Sequence, residues 1–139
     1  MKKVMACSII LSVVMVAGCA NRYIGKRFST MEISKIQEPL PSRMSCFGKG
    51  CMFHYTLSKD DTSGYVIDGD IDIFSGKEYN SIKDGNIVFF LIKDGVVVET
   101  IPATLSGRTG NRLTYRREFV TDVDFDSIVV GKCTFMYRM

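Results

Sequence analysis

The stretch NIVFFLIKDGVVVET, residues 86–100, decides the fold. Asn86 to Ile92 is apolar on both faces of an extended chain, which suits a central strand. Asp94-Gly95 then separates it from a second apolar run, Val96 to Ile101. An Asp-Gly pair between two such runs signals a tight hairpin, because a type I′ turn needs positive φ at both central residues. Working outward, GYVIDGDIDIF (64–74) alternates with period two. Tyr65, Ile67, Gly69, Ile71 and Ile73 point one way; Val66, Asp68, Asp70, Asp72 and Phe74 point the other. That is a strand with one buried face. RLTYRREFV (112–120) sets Leu113, Tyr115, Arg117 and Phe119 on one side, and SGRTGNR (106–112) before it reads as a turn. FDSIVV (125–130) and CTFMYR (133–138) read as two last strands around Gly131-Lys132. Turn signals recur roughly every ten residues and no segment sustains a 3.6 period. The expected fold is all-β, an antiparallel sandwich or small barrel of about seven strands.

The hairpin 86–100 resembles the central hairpin of immunoglobulin-like domains in small bacterial surface lipoproteins, including the FxLYD type. The tyrosine of that motif is absent from Phe89-Phe90-Leu91-Ile92-Lys93-Asp94. The resemblance implies the immunoglobulin-like form of that antiparallel sandwich and says nothing of a ligand.

The chain opens MKKVMACSIILSVVMVAGCANR. Lys2 and Lys3 precede an apolar run from Val4 to Gly18, too short for a transmembrane helix of ~20 residues and the right length for a signal-peptide core. Val16-Ala17-Gly18-Cys19 resembles the lipobox of bacterial lipoproteins. The resemblance implies diacylglycerol on the Cys19 sulfur, cleavage before Cys19 and acylation of the new amino group. Ala20, rather than Asp, implies sorting to the outer membrane, with the domain facing the periplasm. Several acyl chains, at ~0.8 kcal/mol per buried methylene, make a stable anchor. The expected organisation is a signal peptide at 1–18, a lipid-anchored tether and N-terminal segment at 19–45, and a β-domain at 46–139. Residues 19–29 read as a flexible tether of up to ~35 Å. Residues 30–37 fit either an edge strand, the preferred reading, or a short helix opened by the capping pattern Ser29-Thr30-Met31-Glu32.

The chain carries 18 Lys+Arg against 15 Asp+Glu. Two of the lysines leave with the leader, so the mature protein is close to neutral and has no electrostatic reason to bind nucleic acid.

Of five cysteines, Cys7 lies in the leader and Cys19 is the lipidation candidate. Cys46, Cys51 and Cys133 remain as disulfide candidates outside the cytoplasm. Three cysteines allow three single bridges, and sequence does not choose among them. Cys46–Cys51 is the preferred reading, around Gly48-Lys49-Gly50; a bridge to Cys133 is the alternative. Cys46, Cys51 and His54 fall short of the four ligands a structural zinc site wants, so no metal is expected. Cys-x4-Cys lacks the helix N-terminus of a redox motif. Asp68, Asp70 and Asp72 fail the calcium-loop pattern, since Ile73 and Tyr79 hold the Gly and Glu places. They read as a solvated face whose natural partners are Arg112, Arg116 and Arg138. No nucleophile–base pair or phosphate loop is visible, so neither catalysis nor a cofactor is expected.

The functional expectation is a non-enzymatic interaction subunit of an envelope assembly, bound to the membrane through Cys19 and to an envelope protein through its β-domain. Its concrete form is pilotin-like. The alternative is a small-ligand or lipid-binding β-domain. An exposed edge strand with aromatics around it favours the first, and a closed cavity with converging polar groups favours the second.

Overall fold

A computed structural model describes residues 22–28 and 35–138. The lipobox, Cys19 and most of the segment 30–37 lie outside the described residues. Seven strands follow in order: β1 (Ser42–Gly48), β2 (Cys51–Lys59), β3 (Tyr65–Ile73), β4 (Ile82–Lys93), β5 (Val96–Thr109), β6 (Arg112–Phe119) and β7 (Ser127–Tyr137). A short helix, α1 (Gly76–Ser81), sits between β3 and β4. The strands form one sheet in the order β1-β2-β3-β6-β5-β4-β7, with every neighbouring pair antiparallel. The sheet curls strongly into a half-barrel. The all-β expectation of about seven strands is met.

Local chemistry explains the hairpins. Asp94 and Gly95 hold φ of 51° and 80°, and Lys93 pairs with Val96, which makes the two-residue turn expected of Asp-Gly. Gly50, at φ 74°, lets the chain return two residues after Gly48, which pairs with Cys51.

Two expectations change. Gly131-Lys132 is not a turn, and β7 runs through it. Val88 pairs with Lys132 while Phe89 pairs with Val130, so Gly131 is the extra residue of a β-bulge. A Cβ on Gly131 would lie 2.3 Å from the Phe90 ring, so only glycine fits under that ring. Similarly, 106–109 belongs to β5, and the turn is confined to Gly110-Asn111. Leu105 pairs with Tyr115 and Gly107 with Thr114, so Ser106 is bulged. These bulges bend long strands, and β5 pairs with β4 along its first half and with β6 along its second.

The curl gives the sheet an inside. Phe53, Tyr55, Leu57, Ile67, Ile71, Ile87, Phe89, Leu91, Leu113 and Tyr115 fill it and are almost wholly buried. Phe89 packs at 5.5 Å from Tyr55 and 5.7 Å from Tyr115, centroid to centroid. Burying each large apolar side chain is worth ~1.5–3 kcal/mol, far more than the exposed ion pairs Arg112–Asp70 (3.4 Å) and Arg116–Asp68 (3.9 Å) on the outer face, at ~0–1 kcal/mol each. Those two pairs are the ones anticipated for the aspartate row. Arg138 lies beyond β7, at the opposite edge of the sheet.

At one end α1 plugs the half-barrel with buried Tyr79, whose hydroxyl donates to the Gly110 carbonyl at 2.9 Å. Arg108 donates to the carbonyls of Tyr79 and Ile82 and stacks over the Tyr79 ring. Ser75 caps the helix by accepting from the Glu78 N–H.

Candidate functional site

The free edges of the sheet, β1 and β7, flank the open side of the half-barrel, a seam that no β1–β7 ladder closes among the described residues. Because seven strands alternate in direction, β1 and β7 run parallel and cannot extend the antiparallel ladder. At one end the chain itself spans the seam. Lys35 bridges to Ser127, and the Ile36 N–H donates to the Asp126 carbonyl at 2.9 Å. The path then passes Pro39 and Pro41 into β1, where the Ser42 hydroxyl accepts from the Gln37 N–H at 3.2 Å. At the same level, Tyr55 of β2 reaches across the interior and donates to the Ile128 carbonyl of β7 at 2.9 Å. β1 therefore begins at Ser42, within the stretch read from sequence as a lead into the domain.

The three cysteines line the other half of the seam, all on the inner side. Cys46 and Cys51 are buried and Cys133 is half-buried; all three are thiols. Cys46 lies opposite Phe53, and Cys51 lies opposite Gly48. A Cβ on Gly48 would stand 2.7 Å from the Phe53 ring and 2.8 Å from the Cys51 Sγ, so the ring and the thiol share the space over a residue with no side chain. Cys133 pairs with Ile87 of β4, and the next inward position on β7 is Phe135. A cavity of 400 Å³ brings Cys51 and Phe135 together, with Gly50, Ile73, Glu78 and Ile82. Burial pushes the Cys133 thiol up to about 12, with Cys51 adding to the rise. Burial also raises Cys51, helped by Cys46. The Tyr55 hydroxyl is raised by burial and by its contact with Cys46. All three thiols face the interior along the seam, and each of Cys51 and Cys133 feels the charge of another thiol.

The outer face at this rim carries two exposed aromatics beside Asp72. Phe47 pairs with Met52, Met52 pairs with Asp72, and Phe74 follows two residues on. Phe47 and Phe74 are each 62% exposed. The Phe74 N–H donates to the Gly50 carbonyl at 3.1 Å, tying the β1–β2 turn to the end of β3. Phe47 was not singled out in sequence. Its signal was available: it alternates with Cys46 in a strand whose other face is buried.

His54 faces outward between Ser45 and Asp70, as its alternation with Phe53 and Tyr55 predicts. It borders an open concavity of 1040 Å³ that mixes Lys35, Glu38, Arg43, Asp70 and Arg112. Charges of both signs line this surface.

By fold and site the chain is an all-β half-barrel with two exposed aromatics on one rim and a thiol-lined seam. No family model, curated protein or solved structure matches it.

Proposed function

We propose that this protein is a lipid-anchored envelope lipoprotein whose half-barrel is a non-enzymatic docking module. Cys19 carries the lipid, the domain faces the periplasm from the outer membrane, and an envelope protein binds the domain. The concrete form of the role is pilotin-like, escorting a membrane-assembling partner. The observation that carries the docking half is the exposed pair Phe47 and Phe74 around Met52 on the outer rim. Exposed aromatics grouped on one face mark interaction surfaces, because aromatic side chains supply much of the energy at interface centres. The alternative, a ligand-binding domain, requires interior room. Phe53, Tyr55, Phe89 and Tyr115 fill the middle of that interior, and the 400 Å³ cavity at its Cys51 end is the room left to a ligand.

Two measurements test the two halves. Mass analysis of the N-terminal peptide from membranes should find it starting at Cys19 with diacylglycerol and an acyl chain. An unlipidated N-terminus overturns the anchor. Cross-linking in intact cells should capture the same envelope protein in stoichiometric yield with the wild type and lose it with Phe47→Lys/Phe74→Lys, at unchanged circular dichroism. Equal capture by the double variant removes the rim from the reading. An apolar small molecule retained in native mass spectrometry would favour the alternative.

A further inference from the structure

We infer that Cys51 and Cys133 are joined in the mature protein by a disulfide that staples β2 to β7 across the open side of the half-barrel at the α1 end, away from the Ser127 end that the chain itself spans. The seam is already held at the Ser127 end, by the Lys35 bridge and by the Tyr55 hydroxyl on Ile128. Along β2 the inward positions run Tyr55, Phe53, Cys51; along β7 they run Ile128, Val130, then Cys133 past the Gly131 bulge. Starting from the Tyr55–Ile128 hydrogen bond, the two series descend the interior together and bring Cys51 and Cys133 to the same third level, with Phe135, one inward position further on β7, lining a cavity beside Cys51. Gly48 completes the arrangement. It is the edge-strand residue paired with Cys51, and its lack of a side chain leaves room for the Cys51 Sγ and the Phe53 ring, which would stand 2.8 and 2.7 Å from a Cβ there.

The register disfavours the shorter bridge. Cys46 and Cys51 are diagonal, not opposite, on the β1–β2 ladder. Diagonal neighbours stand ~7–8 Å apart, past the ~7 Å within which a disulfide closes without backbone movement. Cys46 is instead engaged with the Tyr55 hydroxyl. A Cys51–Cys133 link also closes a loop of about 80 residues, which removes more unfolded-chain entropy than the short loop would.

The chemistry is an exchange. The two thiols give up two protons and two electrons to an external disulfide, either an oxidised thiol–disulfide oxidoreductase or glutathione disulfide, which leaves as two thiols. In the closed domain both thiols are held protonated by burial, so the attacking thiolate forms while the seam is still open during folding. The presence of such an acceptor in the cell rests on the envelope placement proposed above.

Trypsin separates the three cysteines. Cys46 falls in 44–49, Cys51 in 50–59 and Cys133 in 133–138. The full chain, isolated from cells and alkylated in denaturant without reduction, should yield 50–59 linked to 133–138 and an alkylated 44–49. A link between 44–49 and 50–59, or between 44–49 and 133–138, overturns the inference. A second sample of the full chain, reduced and then oxidised with glutathione disulfide, separates geometry from compartment. All three peptides alkylated there also overturns the inference. Linkage of 50–59 to 133–138 there, with three alkylated peptides from cells, upholds the pairing and instead overturns the envelope placement.

Discussion

Gly69 shows how one missing side chain shapes the sheet. It lies on β3 between Tyr55 and Tyr115, and a Cβ there would stand 1.9 Å from the His54 carbonyl oxygen. The Tyr115 hydroxyl passes over this gap and donates to that same oxygen at 2.7 Å. Backbone cannot yield as a side-chain tip can, so Gly69→Ala should cost ~3 kcal/mol, at the upper end for overpacking. Tyr115→Phe, which removes only the hydrogen bond, should cost ~1 kcal/mol. Urea unfolding followed by circular dichroism reads both, and equal costs would mean that the close approach at Gly69 is not the constraint. A second residue-scale consequence concerns Cys133. Its raised value of about 12 favours the neutral thiol, and only the thiolate is alkylated. At pH 8 about one part in ten thousand of the reduced, folded protein is reactive at this position. Iodoacetamide should therefore modify Cys133 at least a hundredfold more slowly in the folded chain than in urea. The folded-state rate should rise about tenfold per pH unit through pH 10.

At the scale of elements, Asp126 ties four pieces of chain together. Its carboxylate accepts from the Asp94 N–H at 3.2 Å and from the Ser127 hydroxyl at 3.0 Å; its N–H donates to the Ile92 carbonyl and its own carbonyl accepts from Ile36. Burial works against the charged form, but the Asp94 N–H, Ser127, Lys35 and Lys93 outweigh it and hold the carboxyl below its usual range. A lowered folded value means that this stabilisation is complete above the unfolded carboxylate pKa and is lost as pH falls through the folded one. Asp126→Asn should lower stability by about 1 kcal/mol at pH 7, and the difference from wild type should vanish by about pH 2. Urea midpoints at the two pH values check this; a difference that persists in acid would assign the effect to packing. The elements also show what was readable beforehand. The hairpin at Asp94-Gly95 and the alternation of β3 were legible, because turn chemistry and period two are local signals. β7 was read as two strands because Gly131-Lys132 looks like a turn when the Phe90 ring above it is unknown. α1 was missed although Ser75-Gly76-Lys77-Glu78 is a capping pattern, since six residues cannot show a helical period. Cys46, Cys51 and Cys133 were nameable as candidates, but the seam that lines them up comes from strand order, which no local pattern carries.

For the whole molecule, the decisive feature is that the chain before the barrel belongs to its packing. Phe90 and Val129 pair on the outer face of β4 and β7 and are buried there. Tyr23 packs on the Phe90 ring at 4.9 Å and Phe28 meets it edge-on at 5.7 Å. The Gly25 N–H donates to the Val97 carbonyl, the Val97 N–H to Lys26, and the Phe28 N–H to Gly95, so residues 22–28 dock along the β4–β5 hairpin. Sequence reading made this stretch a tether because polar residues dominate it; the two aromatics that dock it are five residues apart and match neither period. On the lipidation proposed above, only four residue steps separate Cys19 from Tyr23, a reach of at most ~14 Å. Docking would then hold the β4–β5 hairpin close to the membrane and leave the Phe47 rim, at the far end of β1, available to a partner. Tyr23→Ala/Phe28→Ala should release the segment. Two aromatic contacts of ~0.5–1.5 kcal/mol each predict a loss of ~2 kcal/mol in stability. Limited trypsin digestion should cut slowly after Lys26 and Arg27 in the wild type and at least tenfold faster in the double variant, with β2 and β3 uncut in both. Rapid cleavage of the wild type at these sites would mean that the segment swings free and that the domain can range further from its anchor.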